Sequence, residues 1–113
     1  MAIMKNLTPH DIHLQMEDGS IITIKPEAVP ARCDSTEIPV FPSSINGINI
    51  PTVRRSWGKP VGLPEPEEGV ILIVASVVLD HAENRTDLMA PDSGKSAVRD
   101  EKGQIKYCTR LIC

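Results

Sequence analysis

Hydrophobic and polar residues alternate near the start of the chain. Residues 12–16 follow this alternation, which is typical of a strand with one buried face. The pair Asp18-Gly19 then favours a hairpin turn, and the apolar run at residues 21–24 predicts a returning strand that Pro26 ends. This part of the sequence therefore predicts a β-hairpin.

The middle of the chain shows no such regularity. Residues 37–69 are rich in proline, glycine, serine and asparagine, which predicts mostly irregular structure. A weak strand is expected at residues 31–36 and a short one at residues 48–53, where Pro51 interrupts the pattern. The alternating prolines of residues 62–69 favour an extended connector.

A long apolar segment follows. Residues 70–74 are a run of mainly β-branched side chains, as in a strand buried on both faces, and after Ser76 the apolar positions fall at helical spacing. Residues 97–99 and 105–111 predict a closing hairpin. The chain of 113 residues is thus expected to be a single α+β domain, mostly antiparallel, with one short helix after the central strand.

Composition limits the core and the class of partner. Aromatic residues make up 3% of the chain, so the core must be aliphatic, and we expect the chain to gain stability as a homo-oligomer. The net charge of −3 argues against binding of polymeric nucleic acid, although a few arginines could hold a small anion.

Other function classes are disfavoured by the motifs that are missing. The longest apolar run, residues 70–79, is shorter than the ~20 residues that span a bilayer, and the first residues do not resemble a signal peptide. We therefore expect a cytoplasmic protein without a membrane partner. The three cysteines indicate free thiols, and their spacing predicts neither a metal site nor a cofactor.

The segment NLTPHDIH, residues 6–13, contains two of the three histidines. The favoured interpretation is a hydrogen-bonding corner built by Asn6, Thr8 and His10. Alternatively, His10 contacts a ligand or acts as an acid or base, because histidine titrates near neutral pH. His13 falls on the solvent side of the predicted strand, which argues against a metal site shared with His10.

Two stretches could bind an anionic ligand. In the first, Arg54 and Arg55 precede Trp57, so guanidinium groups and an indole could hold phosphates and a base. The alternative is a solvated loop in which Trp57 plugs the edge of the core.

The second stretch, residues 83–103, holds Arg85, Asp87 and Arg99. Arg85 and Asp87 could pair with each other or face a ligand. The motif DSGKS lacks the full spacing of a phosphate loop, which excludes a nucleotide triphosphatase, but residues 92–94, with Ser93 at their centre, could form an anion-binding nest of backbone N–H groups.

Several motifs occur together in a recognisable order: NLTPH, GLPEPEEG, NRTDL, PDSG and AVRDEKGQI. From residue 6 to residue 105 the chain resembles a family of small uncharacterised proteins of phages, prophages and bacteria. Small phage proteins of this size often disarm host defence, and some sequester a nucleotide second messenger. By analogy, the resemblance implies a similar role in the host cytoplasm.

We therefore expect a non-enzymatic sponge for a phosphate-bearing nucleotide immune signal, such as an ADP-ribose derivative or a cyclic nucleotide. Two alternatives stay open: a small hydrolase of such a nucleotide, with His10 as acid/base and Asp87 orienting it, and a structural or protein-interaction module of a phage. The expected ligand-binding residues are Arg54, Arg55, Trp57, Arg85, Asp87, Ser93 and Arg99.

Overall fold

The computed structural model describes residues 3–113, apart from the side chains of residues 41–45. The described part forms one four-stranded sheet, three two-stranded ribbons and one helix, which confirms the α+β class. In chain order the elements are β1 (Ile3–Asn6), β2 (Ile12–Gln15), β3 (Ile21–Ile24), β4 (Arg32–Ile45), β5 (Ile48–Val61), β6 (Val70–Ile73), α1 (Ser76–His81), β7 (Leu88–Pro91), β8 (Val98–Arg99), β9 (Ile105–Tyr107) and β10 (Leu111–Ile112).

The four-stranded sheet has the order β1-β6-β7-β10. Strands β1, β6 and β7 are parallel, and β10 pairs antiparallel with β7. The central strand β6 is buried on both faces at its carboxyl end, as the run of aliphatic residues predicts. Helix α1 follows it and has six residues; within residues 3–113 no helix is long and apolar enough to cross a membrane.

Two ribbons confirm local sequence predictions. Strands β2 and β3 pair antiparallel, with Ile12 opposite Ile24, and both Ile12 and Leu14 are buried. Strands β8 and β9 form the closing hairpin, which is shorter than expected. These two ribbons are also joined to each other by the main chain. Cys108, which follows β9, donates its N–H to the carbonyl oxygen of His13 in β2 at 2.8 Å.

The core is aliphatic and lies on both faces of the central sheet. On one face Leu72 and Val74 pack with Val78 of α1, and on the other Ile73 packs with Ile12 and Leu14 of the β2–β3 ribbon. Aromatic side chains are missing from the buried core of the described residues. This confirms the expectation drawn from composition.

The middle of the chain differs from the prediction. Residues 37–61 were expected to be mostly irregular with one short strand at residues 48–53, but they continue β4 and form β5. The two strands of 14 residues each make one long antiparallel ribbon, which we call the arm (residues 32–61). The prolines do not break it because a two-stranded ribbon has two free edges, where a missing N–H removes no ladder bond.

The ends of the arm are set by residues with positive φ angles. At the tip, Asn46 and Gly47 have φ angles of 50° and 78°, as a two-residue type I′ turn requires. At the base, Gly62 has a φ of +93°, and a Cβ there would lie 2.9 Å from the carbonyl oxygen of Pro30. Cys33 is buried in the core beside α1. The base is therefore fixed, and the rest of the arm leaves the body with both faces exposed.

Candidate functional site

The side chain of Asn6 organises the segment that follows β1. It is fully buried, and its Nδ2 donates to the carbonyl oxygens of His10 and Ile24, both at 2.8 Å. Its Oδ1 accepts from the backbone N–H of Thr8 at 2.8 Å and from the Thr8 hydroxyl at 2.6 Å. The predicted hydrogen-bonding corner is confirmed, and it joins the carboxyl ends of β1 and β3.

His10 enters this corner through its main chain. The sequence interpretation gave the role to the imidazole, but the carbonyl oxygen accepts the bond from Asn6. His10 as a whole is exposed and is one of the residues that line a cleft. The main chain of His10 therefore belongs to the corner, and its side chain remains a candidate for binding a ligand.

The cleft has a volume of about 440 Å³ and lies where the three parallel strands end. Thr8 and His10 follow β1, Ser76 follows β6, and Ser93 follows β7. In open sheets with parallel strands, ligands commonly bind outside the carboxyl ends. The lining residues are Thr8, His10, Asp11, Ile12, His13, Ala75, Ser76, Pro91, Ser93, Ile105, Lys106, Tyr107 and Cys108.

The lining combines an apolar surface with a few polar groups, as in small-molecule sites generally. Among the lining residues Lys106 carries a positive charge and Asp11 a negative one, and His10 and His13 bring imidazole nitrogens that can donate or accept. His13 Nδ1 lies 2.8 Å from the hydroxyl of Thr23, which fixes that ring. Tyr107 adds an aromatic ring with a hydroxyl. Such a set can bind a small polar or anionic molecule.

Arg99 does not line this cleft but holds a loop at its edge. Its guanidinium donates to the carbonyl oxygen of Gly103 at 2.7 Å and to that of Ser93 at 2.9 Å. Arg99 therefore fixes the loop that carries Ser93, and Ser93 itself lines the cleft. Sequence reasoning assigned both residues to the ligand, but the structure gives Arg99 a positioning role.

The Asp92 carboxylate stabilises the same loop by accepting hydrogen bonds from other residues of that loop. It accepts bonds from Arg110 Nε, from the Ser96 hydroxyl at 2.8 Å and from the N–H of Gly94 at 3.0 Å. These donors, Arg110 first, lower the pKa of Asp92 to about 2. The expected anion nest at residues 92–94 is wrong in this form, because the carboxylate of Asp92 already occupies the N–H of Gly94.

Arg85 and Asp87 bind each other. The Nε and one terminal nitrogen of Arg85 donate to the two Asp87 oxygens, each at 2.9 Å, and the guanidinium also reaches the carbonyl oxygen of Pro64 at 2.9 Å. The bond from Arg85 lowers the pKa of Asp87. This mostly buried pair fixes the connector that follows the arm, and neither residue lines the cleft. His10 and Asp87 are therefore not brought together as an acid/base pair.

The residues of the first predicted binding stretch lie on the arm. Side chains alternate along a strand, so Arg55 and Trp57 share one face of β5 and Arg54 lies on the other. Arg55 pairs with Glu37 at 3.1 Å. Trp57 is 41% exposed and belongs to neither core cluster, so the alternative in which it plugs the core edge is wrong. The arm does not gather these three side chains into one pocket.

A second cleft of about 410 Å³ lies at the base of the arm. Lys59, His81 and Arg85 contribute its basic groups, and Glu83 contributes a carboxylate. Because Arg85 is already neutralised by Asp87, this cleft offers less free positive charge than its residue types suggest. This second cleft therefore serves as a control site in tests of ligand binding at the strand ends.

Sequence reasoning missed Ser76, Lys106 and Tyr107. Ser76 had a usable signal, because it follows the central buried strand, where site residues often lie. Lys106 and Tyr107 reach the cleft because β9 packs against β2, a contact between segments distant in sequence.

Comparison of the chain with protein-family models, with curated proteins and with solved structures finds no match. The geometry of the cleft is therefore the main support for a function, and the resemblance to phage proteins stays an expectation from the motifs.

Proposed function

We propose that the protein binds a phosphate-bearing nucleotide in the cleft at the carboxyl ends of β1, β6 and β7, and holds it without turnover. The position and size of this cleft carry the proposal. Its volume of about 440 Å³ falls within the usual range for small-molecule sites, about 300–1,000 Å³. A nucleotide also needs both an apolar surface and a few polar contacts, and the lining supplies both.

Each part of such a ligand has a counterpart in the lining. The ammonium group of Lys106 would attract a phosphate, assisted by hydrogen bonds from His10 or His13. The Tyr107 ring would face the base. The hydroxyl groups of Thr8 and Ser93 would bond to ribose or phosphate oxygens.

Retention without turnover is supported by how the acid/base candidates are placed. General acid/base catalysis uses a group held within hydrogen-bond reach of the proton that it moves, often with a second group that orients it. Asp87, the carboxylate proposed to orient His10, is held by Arg85. The resemblance to phage proteins supports the identity of the ligand as an immune signal, an ADP-ribose derivative or a cyclic nucleotide, sequestered in the host cytoplasm.

The test is recovery of the ligand after binding. Purified protein is incubated separately with a cyclic dinucleotide and with cyclic ADP-ribose, washed, denatured by heat, and the released molecules are identified by mass spectrometry. Intact ligand in stoichiometric amount supports the sponge. Cleaved product overturns it in favour of a hydrolase, and release of neither molecule favours a structural or protein-interaction module.

A further inference from the structure

The chain exposes more surface than a compact monomer of its mass. Its accessible surface is 8391 Å², whereas a compact protein of 12.3 kDa exposes about 6,100 Å². Its radius of gyration is 17.6 Å, against about 13 Å for a compact domain of this length. The arm contributes to this difference, because most of its described residues beyond the base are exposed.

One face of the arm, which we call the apolar face, is rich in aliphatic side chains, although Thr52 lies on it between Ile50 and Arg54. In β5, Ile48 and Ile50 alternate onto the same face, and the register places Val40 and Ile38 of β4 on it as well. Ile38 and Ile48 are 60% and 64% exposed. Arg54 lies at the end of this face nearest the body, where the polar rim of an interface would fall.

The opposite face has a different character. It carries the Arg55–Glu37 ion pair and Trp57, with Val53 between them and the tip. The free edges are poor templates for a further strand, because Pro39 and Pro51 have no N–H to donate. The arm is therefore suited to packing through its apolar face and not through its edges.

We infer that the apolar face of the arm packs against the same face of a second copy of this chain, which makes the protein a symmetric dimer. A two-stranded ribbon alone in water is marginally stable, so the arm needs a cover whenever the chain is folded. A second copy is always present to supply it, and a two-fold axis brings identical surfaces together.

The exposed area is sufficient for such an interface. A specific dimer buries about 800 Å² on each partner, and larger obligate homodimers bury between about 1,000 and 2,500 Å². The excess surface of this chain over a compact monomer is about 2,300 Å² and includes both faces of the arm, so one face can supply about half of it, which still exceeds the ~800 Å² of a specific dimer. The dimer does not depend on the proposed ligand, because the face lies on the arm and the cleft lies at the ends of the parallel strands.

Sedimentation equilibrium on matched variants tests this interface. Wild-type protein should sediment as a dimer at micromolar concentration, and Ile50→Glu should raise its dissociation constant at least about a hundredfold, since a carboxylate would be buried in an apolar interface. Val53→Glu is the control, because Val53 is 48% exposed and Ile50 45%, on opposite faces of the same strand. A monomeric wild type, or equal loss in both variants, would overturn the inference.

A second experiment avoids a charged substitution that could unfold the arm. Val40→Cys and Val53→Cys, each combined with Cys113→Ser, place one thiol near the middle of each of the two opposite faces, partly exposed at residue 40 and exposed at residue 53, while Cys33 and Cys108 stay buried. A short bismaleimide should cross-link the Val40→Cys protein into a dimer much more completely than the Val53→Cys protein. Equal yields, or no cross-linked dimer in either variant, would contradict packing through the apolar face.

Discussion

The amide nitrogen of Asn6 lies 2.8 Å from the main-chain oxygen of His10 and holds it from below the surface. Because Asn6 is completely buried, this bond fixes the backbone of His10 without using its ring. The bond leaves the imidazole unused, and His10 is one of the residues that line the cleft beyond β1. A buried structural residue thus sets the position of a candidate ligand-binding side chain.

Substitution of these two residues should separate their roles. Asn6→Ala should lower the free energy of unfolding by about 2–4 kcal/mol, because it leaves three partly buried polar groups of the main chain without the Asn6 side chain as their partner. His10→Ala keeps the carbonyl oxygen and should change stability by less than about 0.5 kcal/mol. Urea denaturation measures both. If His10→Ala proved as destabilising as Asn6→Ala, the imidazole would have to belong to the corner.

The base of the arm should be sensitive at Gly62. Gly62→Ala should destabilise the fold by more than Gly19→Ala, although both glycines have φ angles near +90°. Alanine at Gly19 meets open space and should cost about 1–2 kcal/mol from the backbone conformation alone. At Gly62 the new Cβ would also meet the Pro30 carbonyl oxygen at 2.9 Å. Thermal denaturation gives the ranking, and equal losses would show that the contact with Pro30 relaxes freely.

Asp92 should stabilise the fold in a pH-dependent way. Its folded-state pKa of about 2 lies below the ordinary value of 3.8, so its contribution is fully present above the ordinary pKa. That contribution should be lost as the pH falls from about 4 through about 2. Asp92→Asn should remove this part of the pH dependence of the unfolding free energy, measured with urea at several pH values.

Arg110→Ala is the companion variant, because Arg110 is the largest cause of the lowered pKa. It should shift the loss of stability toward higher pH without abolishing it, since Ser96 and Gly94 still donate to the carboxylate. An acid transition identical to wild type in both variants would mean that Asp92 does not contribute to acid stability.

Two lysines distinguish between the two clefts. If a phosphate-bearing ligand binds at the strand ends, Lys106→Ala should weaken its affinity by about ten- to hundredfold, because one charge-assisted bond is lost. Lys59→Ala removes another exposed lysine, from the cleft at the base of the arm, and should leave affinity unchanged. Isothermal titration calorimetry with the nucleotide recovered from the protein measures both. The reverse result would move the ligand to the base of the arm.

Local signals in the sequence predicted the local parts of the fold. The β2–β3 hairpin followed from alternation and an Asp-Gly turn, and α1 from a change of spacing after Ser76. The arm could not be predicted this way, because its prolines and polar residues are typical of loops, and they are tolerated here on the free edges and exposed faces of a ribbon.

In the candidate site, too, the features built from neighbouring residues were predictable and those built from distant segments were not. The corner at Asn6 was predictable because its partners Thr8 and His10 are close in sequence. The cleft was not, since it depends on β1, β6 and β7 lying side by side and on β9 packing against β2. The arginines were predicted to bind a ligand from their charge alone. In the structure Arg85 donates to Asp87 and Arg99 donates to the carbonyl oxygen of Ser93.

The pairing of β1 with β6 also sets an order of folding. Ile3 lies opposite Val70, so the first strand has no partner in the sheet until more than half of the chain has been synthesised. The two strands of the arm are joined by a two-residue turn and can pair much earlier, because closing a short loop loses less chain entropy than joining distant segments. On the ribosome, the arm should therefore form before the sheet that anchors it. The apolar face of the arm would then be exposed to a neighbouring nascent chain before the cleft has formed.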